Sequence, residues 1–254
     1  MKYYDELLSA KLFTKEKLNQ LTGSVDAAKA LLKSYLRSGY IEKIRYNYYG
    51  IKSLETKQII PNRFEIGSNI NKNTYISHHS AFEYYGMANQ IFSEVYVSSK
   101  RGFENFEFDG VQYTHVASNI DNGITRPTEH LKVTDLERTI IDNIKDFAKI
   151  GGLEELLRCL LMVTFISEEK LLSYLTAYNN QFLYQKTGYI LSHYQKSMKL
   201  SDDFFDVCKS KIKKSVRYLY DGIGFQNPKF YSKWQLFAPE NLMKLIDEGG
   251  DEIV

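Results

Sequence analysis

The stretch from Thr14 to Lys52 constrains this chain more than any other. Leu18 and Leu21 recur at helical spacing behind Thr14, a residue type that caps helix starts. Thr22-Gly23-Ser24 then breaks the helix and offers Ser24 as the next cap. Beyond it, Val25, Ala28, Leu32 and Tyr35, with Leu31 and Leu36 beside them, form a wide apolar stripe, and Lys29, Lys33 and Arg37 sit four apart on another face. Ser38-Gly39 closes this helix, because glycine takes the left-handed cap at little cost. Tyr40–Arg45 and Tyr48–Ile51 read as two short strands joined at Tyr46-Asn47. A first helix from Tyr3 to Leu12, with Tyr4, Leu7 and Leu8 facing inward, completes the module. This is the pattern of a winged helix-turn-helix over residues 1–53. Its second helix enters a major groove and its hairpin is the wing.

The charge lies where that pattern lies. Net charge is only +2, but residues 1–53 carry ten Lys and Arg against five Asp and Glu, and the rest of the chain has a slight acidic excess. A basic excess of this kind is the footprint that a phosphate backbone asks for. The expected DNA contacts are Ser24, Lys29, Lys33, Ser34 and Arg37 from the helix, with Lys43, Arg45, Asn47 and Tyr48 from the wing.

Residues 54–73 read as a connector rich in turn formers, and a short helix fits at about 62–70. Residues 74–254 read as a second domain. Ser77 caps a short helix that ends at Gly86, and Ser93–Ser99 alternates as a strand. Phe103–Phe108 and Val111–Val116 flank Asp109-Gly110, the strongest hairpin signal in the chain. Ile124–Val133 supplies a further strand, interrupted at Arg126-Pro127. Helices follow. Thr134-Asp135-Leu136-Glu137 reads as a capping box, with Thr134 as the cap. Leu153–Val163 is apolar on most sides, and helices run from Ser167 to Tyr178, from Asn180 to Met198 and from Ser201 to about Tyr220. Asn227–Phe237 returns to strand-like alternation, and a short helix begins after Glu240 ahead of an acidic tail. The expected fold class is α/β of the α+β kind: a winged helix-turn-helix, then a mixed, mainly antiparallel sheet with many helices.

Hydrophobic content of 43% argues for a folded globule. No apolar run approaches the ~20 residues of a membrane span and none reads as a signal peptide, so the expectation is a cytoplasmic protein with no membrane partner. Cys159 and Cys208 have no ligand-like neighbours, so neither zinc nor a structural disulfide is expected. No phosphate loop, Gly-x-Ser-x-Gly or His-Glu-x-x-His occurs. His78 and His79 are adjacent, so on a helix they do not share a face, and they are read as closing a helix start. Glu104, Glu107 and Asp109 suit an exposed hairpin better than a nuclease centre. No catalytic residue, metal site or cofactor is expected. A second basic patch is clearer: Lys209, Lys211, Lys213, Lys214 and Arg217 fall together without an acid, with Lys209, Lys213 and Arg217 on one helical face and Val207, Cys208, Ile212, Val216 and Leu219 packing inward. It reads either as a solvated face or as a second contact with nucleic acid or a partner bound to it.

The combination resembles the AbiEi family of antitoxins from bacterial abortive-infection and toxin-antitoxin systems. The resemblance rests on the N-terminal module, on Tyr75-Ile76-Ser77-His78-His79-Ser80-Ala81-Phe82-Glu83-Tyr84-Tyr85-Gly86, and on Lys132-Val133-Thr134-Asp135-Leu136-Glu137-Arg138-Thr139-Ile140-Ile141-Asp142 followed by Gly151-Gly152-Leu153-Glu154-Glu155. It implies a non-enzymatic protein that binds inverted repeats in its own promoter as double-stranded DNA, represses its operon, and counteracts a cognate nucleotidyltransferase toxin. In that family the antagonism is described as type IV, with no stable toxin–antitoxin complex required. Two other readings stand beside it: a winged-helix regulator whose second domain senses a small ligand, and a nuclease or nucleotide-modifying enzyme targeted by the winged domain.

Overall fold

The computed structural model describes residues 2–247, with an α+β fold in two compact units. The first unit comprises the chain up to Ile76, Phe92–Asn119 and Ile124–Val133; the second comprises Ser77–Ile91, Ile120–Gly123 and the chain from Thr134 on. This division does not fall at the expected 54–73 connector.

The first unit opens with α1 (Tyr4–Ala10), β1 (Leu12–Phe13), α2 (Lys15–Thr22), α3 (Val25–Arg37), β2 (Ile41–Arg45) and β3 (Tyr48–Ile51). The strands form an antiparallel sheet in the order β1-β3-β2, with Leu12 opposite Gly50 and Lys43 opposite Tyr49. Tyr4, Leu7, Phe13, Leu18, Ala28, Tyr35, Ile41, Tyr49 and Ile51 make one core, in which Phe13 stacks on Tyr49 with centroids 5.9 Å apart. Left-handed Tyr3 (φ 66°) and Lys11 (φ 55°) bound α1 more tightly than expected, and Leu8 lies outside the core, as do Val25 and Leu36 on α3. The apolar face of α3 is therefore narrower than the run of apolar residues in its sequence.

Within the expected connector lies α4 (Arg63–Ser68), held by a complete capping box: Asn62 Oδ1 accepts the amides of Phe64 and Glu65 at 2.9 Å, and Glu65 Oε2 accepts the Asn62 amide at 3.0 Å. Gly67 places α4 directly against Val95, Val97 and Ile76, and an added methyl would come within 2.9 Å of Ile76. This packing ties the segment to a sheet built from β4 (Tyr75–Ile76), β5 (Glu94–Ser99), β6 (Phe106–Phe108), β7 (Val111–Ala117), β8 (Ile124–Thr128) and β9 (Leu131–Thr134). Their order is β6-β7-β5-β4-β9-β8. The pairs β5–β7 and β4–β9 are parallel, and β4–β5 and β6–β7 are antiparallel. Asp109 (φ 52°) and Gly110 (φ 72°) turn the β6–β7 hairpin, both in the left-handed region that the two-residue turn needs. Pro127 sits in edge strand β8, the kind of sheet position to which a residue without an amide is confined.

The second unit is mainly helical: α5 (His78–Tyr84), α6 (Leu136–Asp146), α7 (Gly152–Leu161), α8 (Glu168–Tyr178), α9 (Gln181–Ser192), α10 (Asp202–Ser210) and α11 (Lys244–Asp247). A small sheet of β10 (Arg217–Tyr218), β11 (Lys229–Tyr231) and β12 (Leu236–Ala238) runs in the order β10-β12-β11. Ile140, Ile141 and Ile144 pack with Leu157, Leu160, Leu175, Ile190, Phe204 and Trp234 in the core. Ser167 and Ser201 cap α8 and α10, and Asn180, at the expected start of α9, caps that helix by accepting the amides of Phe182 and Leu183. The cap of α6 is Asp135, which accepts the Arg138 amide at 2.9 Å, not Thr134, which ends β9. The helices α9 and α10 stop short of their expected ends at Met198 and Tyr220. The acidic tail beyond residue 247 lies outside the described residues.

Candidate nucleic-acid interface

Ala28 and Tyr35 bury one side of α3, and Lys29, Lys33, Ser34 and Arg37 stand exposed on the other. Ser24 caps the helix, accepting the Ala27 amide at 3.4 Å. Among the described residues Lys29 has only a loose, solvent-exposed contact with Asp26 at 3.8 Å, which is worth little energetically. Lys43 on β2 is also exposed. Six of the expected contacts, Ser24, Lys29, Lys33, Ser34, Arg37 and Lys43, are thus exposed.

Three expected wing contacts are otherwise engaged. Tyr48 is buried, and its hydroxyl donates to the Ile66 carbonyl at 2.8 Å. Burial holds that phenol well above its ordinary pKa. Alternation along β3 breaks down because Tyr48, Tyr49, Gly50 and Ile51 are all buried, so no face of this strand is left for DNA. Arg45 donates to the Glu104 carbonyl at 3.4 Å, and its guanidinium lies 4.8 Å from the Phe106 centroid. Asn47 accepts the Lys15 amide at 3.0 Å and donates to the Glu16 carboxylate at 2.9 and 3.1 Å. Hydrogen bonds from Thr14 and Asn47 lower the Glu16 pKa.

Sequence reasoning missed the tip of the hairpin. Tyr46 is 81% exposed, and Lys15 Nζ sits 5.5 Å from its ring centroid. An exposed aromatic beside a cation suits contact with sugar and base edges. Its signal was available, since a bulky aromatic occupies a two-residue turn that usually carries Asn, Asp or Gly.

The second basic patch is not one helical face. Because α10 ends at Ser210, Lys209 lies on the helix, Lys211, Lys213 and Lys214 lie on the irregular segment after it, and Arg217 lies on β10. All five are exposed, but so are Val207 and Val216, which were expected to pack inward. Tertiary bonding wins over helix continuation here. The buried Gln185 amide donates to the carbonyls of Ser215, Trp234 and Gln235 at 2.9–3.0 Å, and Arg217 N donates to Gln235 O.

The residues that carry the family resemblance have structural work in the second unit. His79 Nδ1 lies 3.0 Å from Glu83 Oε1, and His79 Nε2 lies 2.9 Å from Glu155 Oε1. The same Glu155 oxygen accepts the amides of Asn89 and Gln90 at 3.0 Å and the Cys159 thiol at 3.4 Å. Burial opposes ionisation of Glu155, but these hydrogen bonds from His79, Gln90 and Asn89 prevail and lower its pKa. His79, Glu155 and Cys159 bring three donor atoms within 4.8 Å of one another. As a metal set they fit poorly, because the shared carboxylate oxygen is already saturated by hydrogen bonds and burial pushes the Cys159 thiol up to about 12. Fully buried Arg138 binds Asp142 at 2.8 Å, the Asn122 carbonyl at 2.7 Å and the Tyr178 hydroxyl at 3.2 Å. Thr134 bonds Thr139 at 2.8 Å, and Glu137 accepts the Ser167 amide at 2.9 Å. Asp146 is desolvated, yet hydrogen bonds from His78 and Lys145 hold its carboxyl well below the usual range. These segments therefore act as a buried polar frame in which most carboxylate oxygens meet donors, Asp142 Oδ2 being buried without one among the described residues.

No helix among the described residues is long and apolar enough to cross a membrane. No family model and no curated protein matches the chain. Among solved structures it is similar to the RV2827C protein from Mycobacterium tuberculosis, with a TM-score of 0.63 over 98% of this chain and 94% of that one. At 13% identity that likeness concerns the fold alone, and it extends over both units of this chain.

Proposed function

We propose that the chain binds double-stranded DNA as a winged helix-turn-helix protein, with α3 in the major groove, and that it is an AbiEi-type antitoxin that represses its own operon. The observation that carries the DNA reading is the row of Lys29, Lys33 and Arg37, exposed on a helix whose other side is locked into the core. Lys15, Lys43 and Tyr46 extend the surface from α2 and the hairpin. Cations of this kind fix register on phosphates, and base-edge contacts from the same helix supply sequence choice. The antitoxin reading rests on the residue resemblance. In it, the second unit counteracts a cognate nucleotidyltransferase toxin without a stable complex.

The test is fluorescence anisotropy of the full-length protein with the DNA just upstream of its gene, against a scrambled duplex. Specific binding is expected to weaken steeply with salt. Changing Lys29, Lys33 and Arg37 together to Ala should remove specific binding and lower the salt slope by about 3, one for each lost phosphate contact. Undiminished binding by the triple variant, with its circular dichroism unchanged, overturns the assignment of α3. Co-expression with the neighbouring toxin gene tests the other half. Absence of growth rescue by the wild type removes the antitoxin reading and leaves DNA binding standing.

A further inference from the structure

The second unit contains a cavity of about 480 Å³ that neither the DNA reading nor the buried frame uses. Phe147, Phe182, Tyr218 and Tyr220 line it with rings, and Lys186 and Asp221 supply charge. Lys186 Nζ lies 4.5 Å from the Phe147 centroid and 4.7 Å from the Phe182 centroid. It donates to the Lys145 carbonyl at 3.2 Å. An ammonium has three donors, and among the described residues this is its one hydrogen bond and no carboxylate is within ion-pair distance. Glu154, also on the wall, is already held by Arg158 at 3.0 and 3.1 Å.

We infer that this cavity binds a small planar aromatic acid, with its ring among Phe147, Phe182, Tyr218 and Tyr220 and its carboxylate on Lys186. A cavity of this size takes a molecule of one or two rings. Aromatic walls favour a flat apolar body over a sugar or an aliphatic chain. The acid follows from Lys186: a half-buried cation with one hydrogen bond gains most from an anion. Burial outweighs the attraction of Asp146 and Asp221, with Lys145 repelling, and lowers the ammonium pKa to about 8, so the site carries an unmet preference for negative charge. Asp221 on the same cavity favours a ring that bears an N–H, which makes an indole acid the first probe. The inference is independent of whether the first unit binds DNA.

The experiment is calorimetric titration of the full-length protein with indole-3-acetate, and with indole-3-acetamide as the same ring without charge. The acid is expected to bind and to raise Tm, and the amide to bind roughly tenfold more weakly. Lys186→Met keeps an apolar stem over the rings and should abolish the preference for the acid, while Lys186→Arg should retain it. If the Met variant does not fold, the comparison of acid with amide on the wild type decides alone. Equal affinity for acid and amide, or no binding of either at millimolar concentration, overturns the proposal.

Discussion

Asn47 Oδ1 accepts the Lys15 amide at 3.0 Å, so the turn of the hairpin caps α2 from 32 residues away. Thr14, the local cap type, makes no side-chain bond to the helix amides. Asn47 also holds φ 54°, a left-handed conformation that asparagine tolerates better than most residues. One side chain thus makes the turn and fastens it to the helix. Replacement by Ala loses the cap and strains the turn, and should cost about 1–2 kcal/mol. Replacement by Gly relaxes the turn but still loses the cap, so its cost should be smaller. Urea unfolding followed by circular dichroism measures both; an Ala variant as stable as the wild type refutes the capping role.

Glu155 is the node of the buried frame. Its Oε1 meets His79 and the amides of Asn89 and Gln90, and its Oε2 accepts from Asn89 Nδ2 at 3.1 Å. Glu155→Ala leaves these groups buried without that acceptor, and a loss of about 3–5 kcal/mol is expected. Glu155→Gln keeps one carbonyl oxygen and should lose less. The measurement is the denaturant midpoint of the full-length variants. An Ala variant within 1 kcal/mol of the wild type means that water or a rearranged neighbour replaces the carboxylate.

Alkaline pH tests the core. Burial raises the phenol pKa of Tyr48, Tyr113, Tyr174, Tyr189 and Tyr194 above the ordinary value, and the bond to Asp135 adds to this at Tyr174. A phenol whose folded pKa lies above its unfolded pKa contributes stability in full below pH 10. That stability is lost as pH rises beyond this point, because the unfolded chain gives up the proton first. The part of the tyrosinate absorbance that comes from these buried phenols should therefore rise together with loss of helical circular dichroism, as a cooperative step above pH 10. Ionisation of all tyrosines near their ordinary pKa with the helices intact contradicts this burial pattern.

What was legible in the sequence was what neighbouring residues decide. The ends of α3, the Asp109-Gly110 turn and the caps at Ser24, Ser167 and Ser201 all depend on contacts within a few positions. Errors collected where a distant partner decides. Tyr48 reads as a wing residue until Ile66 takes its hydroxyl, and Arg45 reads as a phosphate contact until Glu104 and Phe106 occupy it. Lys213 and Arg217 share a face only if the helix continues, and Gln185 holds Ser215 in a different path. The exposed cations of α3 were legible because a solvated face needs no distant partner. The aromatic cavity was not, since its rings come from residues 147, 182, 218 and 220.

The interior position of β4 has a consequence for how the protein is made. Ile76 pairs with Val97 on one side and Val133 on the other. During synthesis the strand waits for both neighbours, and residues 77–91 of the second unit emerge before either arrives. Closing such long loops slows assembly and leaves strand edges open in the meantime. A gene cut between residues 73 and 74 therefore leaves every strand of this sheet on the second piece but strips it of α4, whose Gly67 packs on Ile76, Val95 and Val97, and leaves α4 on the first piece without the sheet it covers.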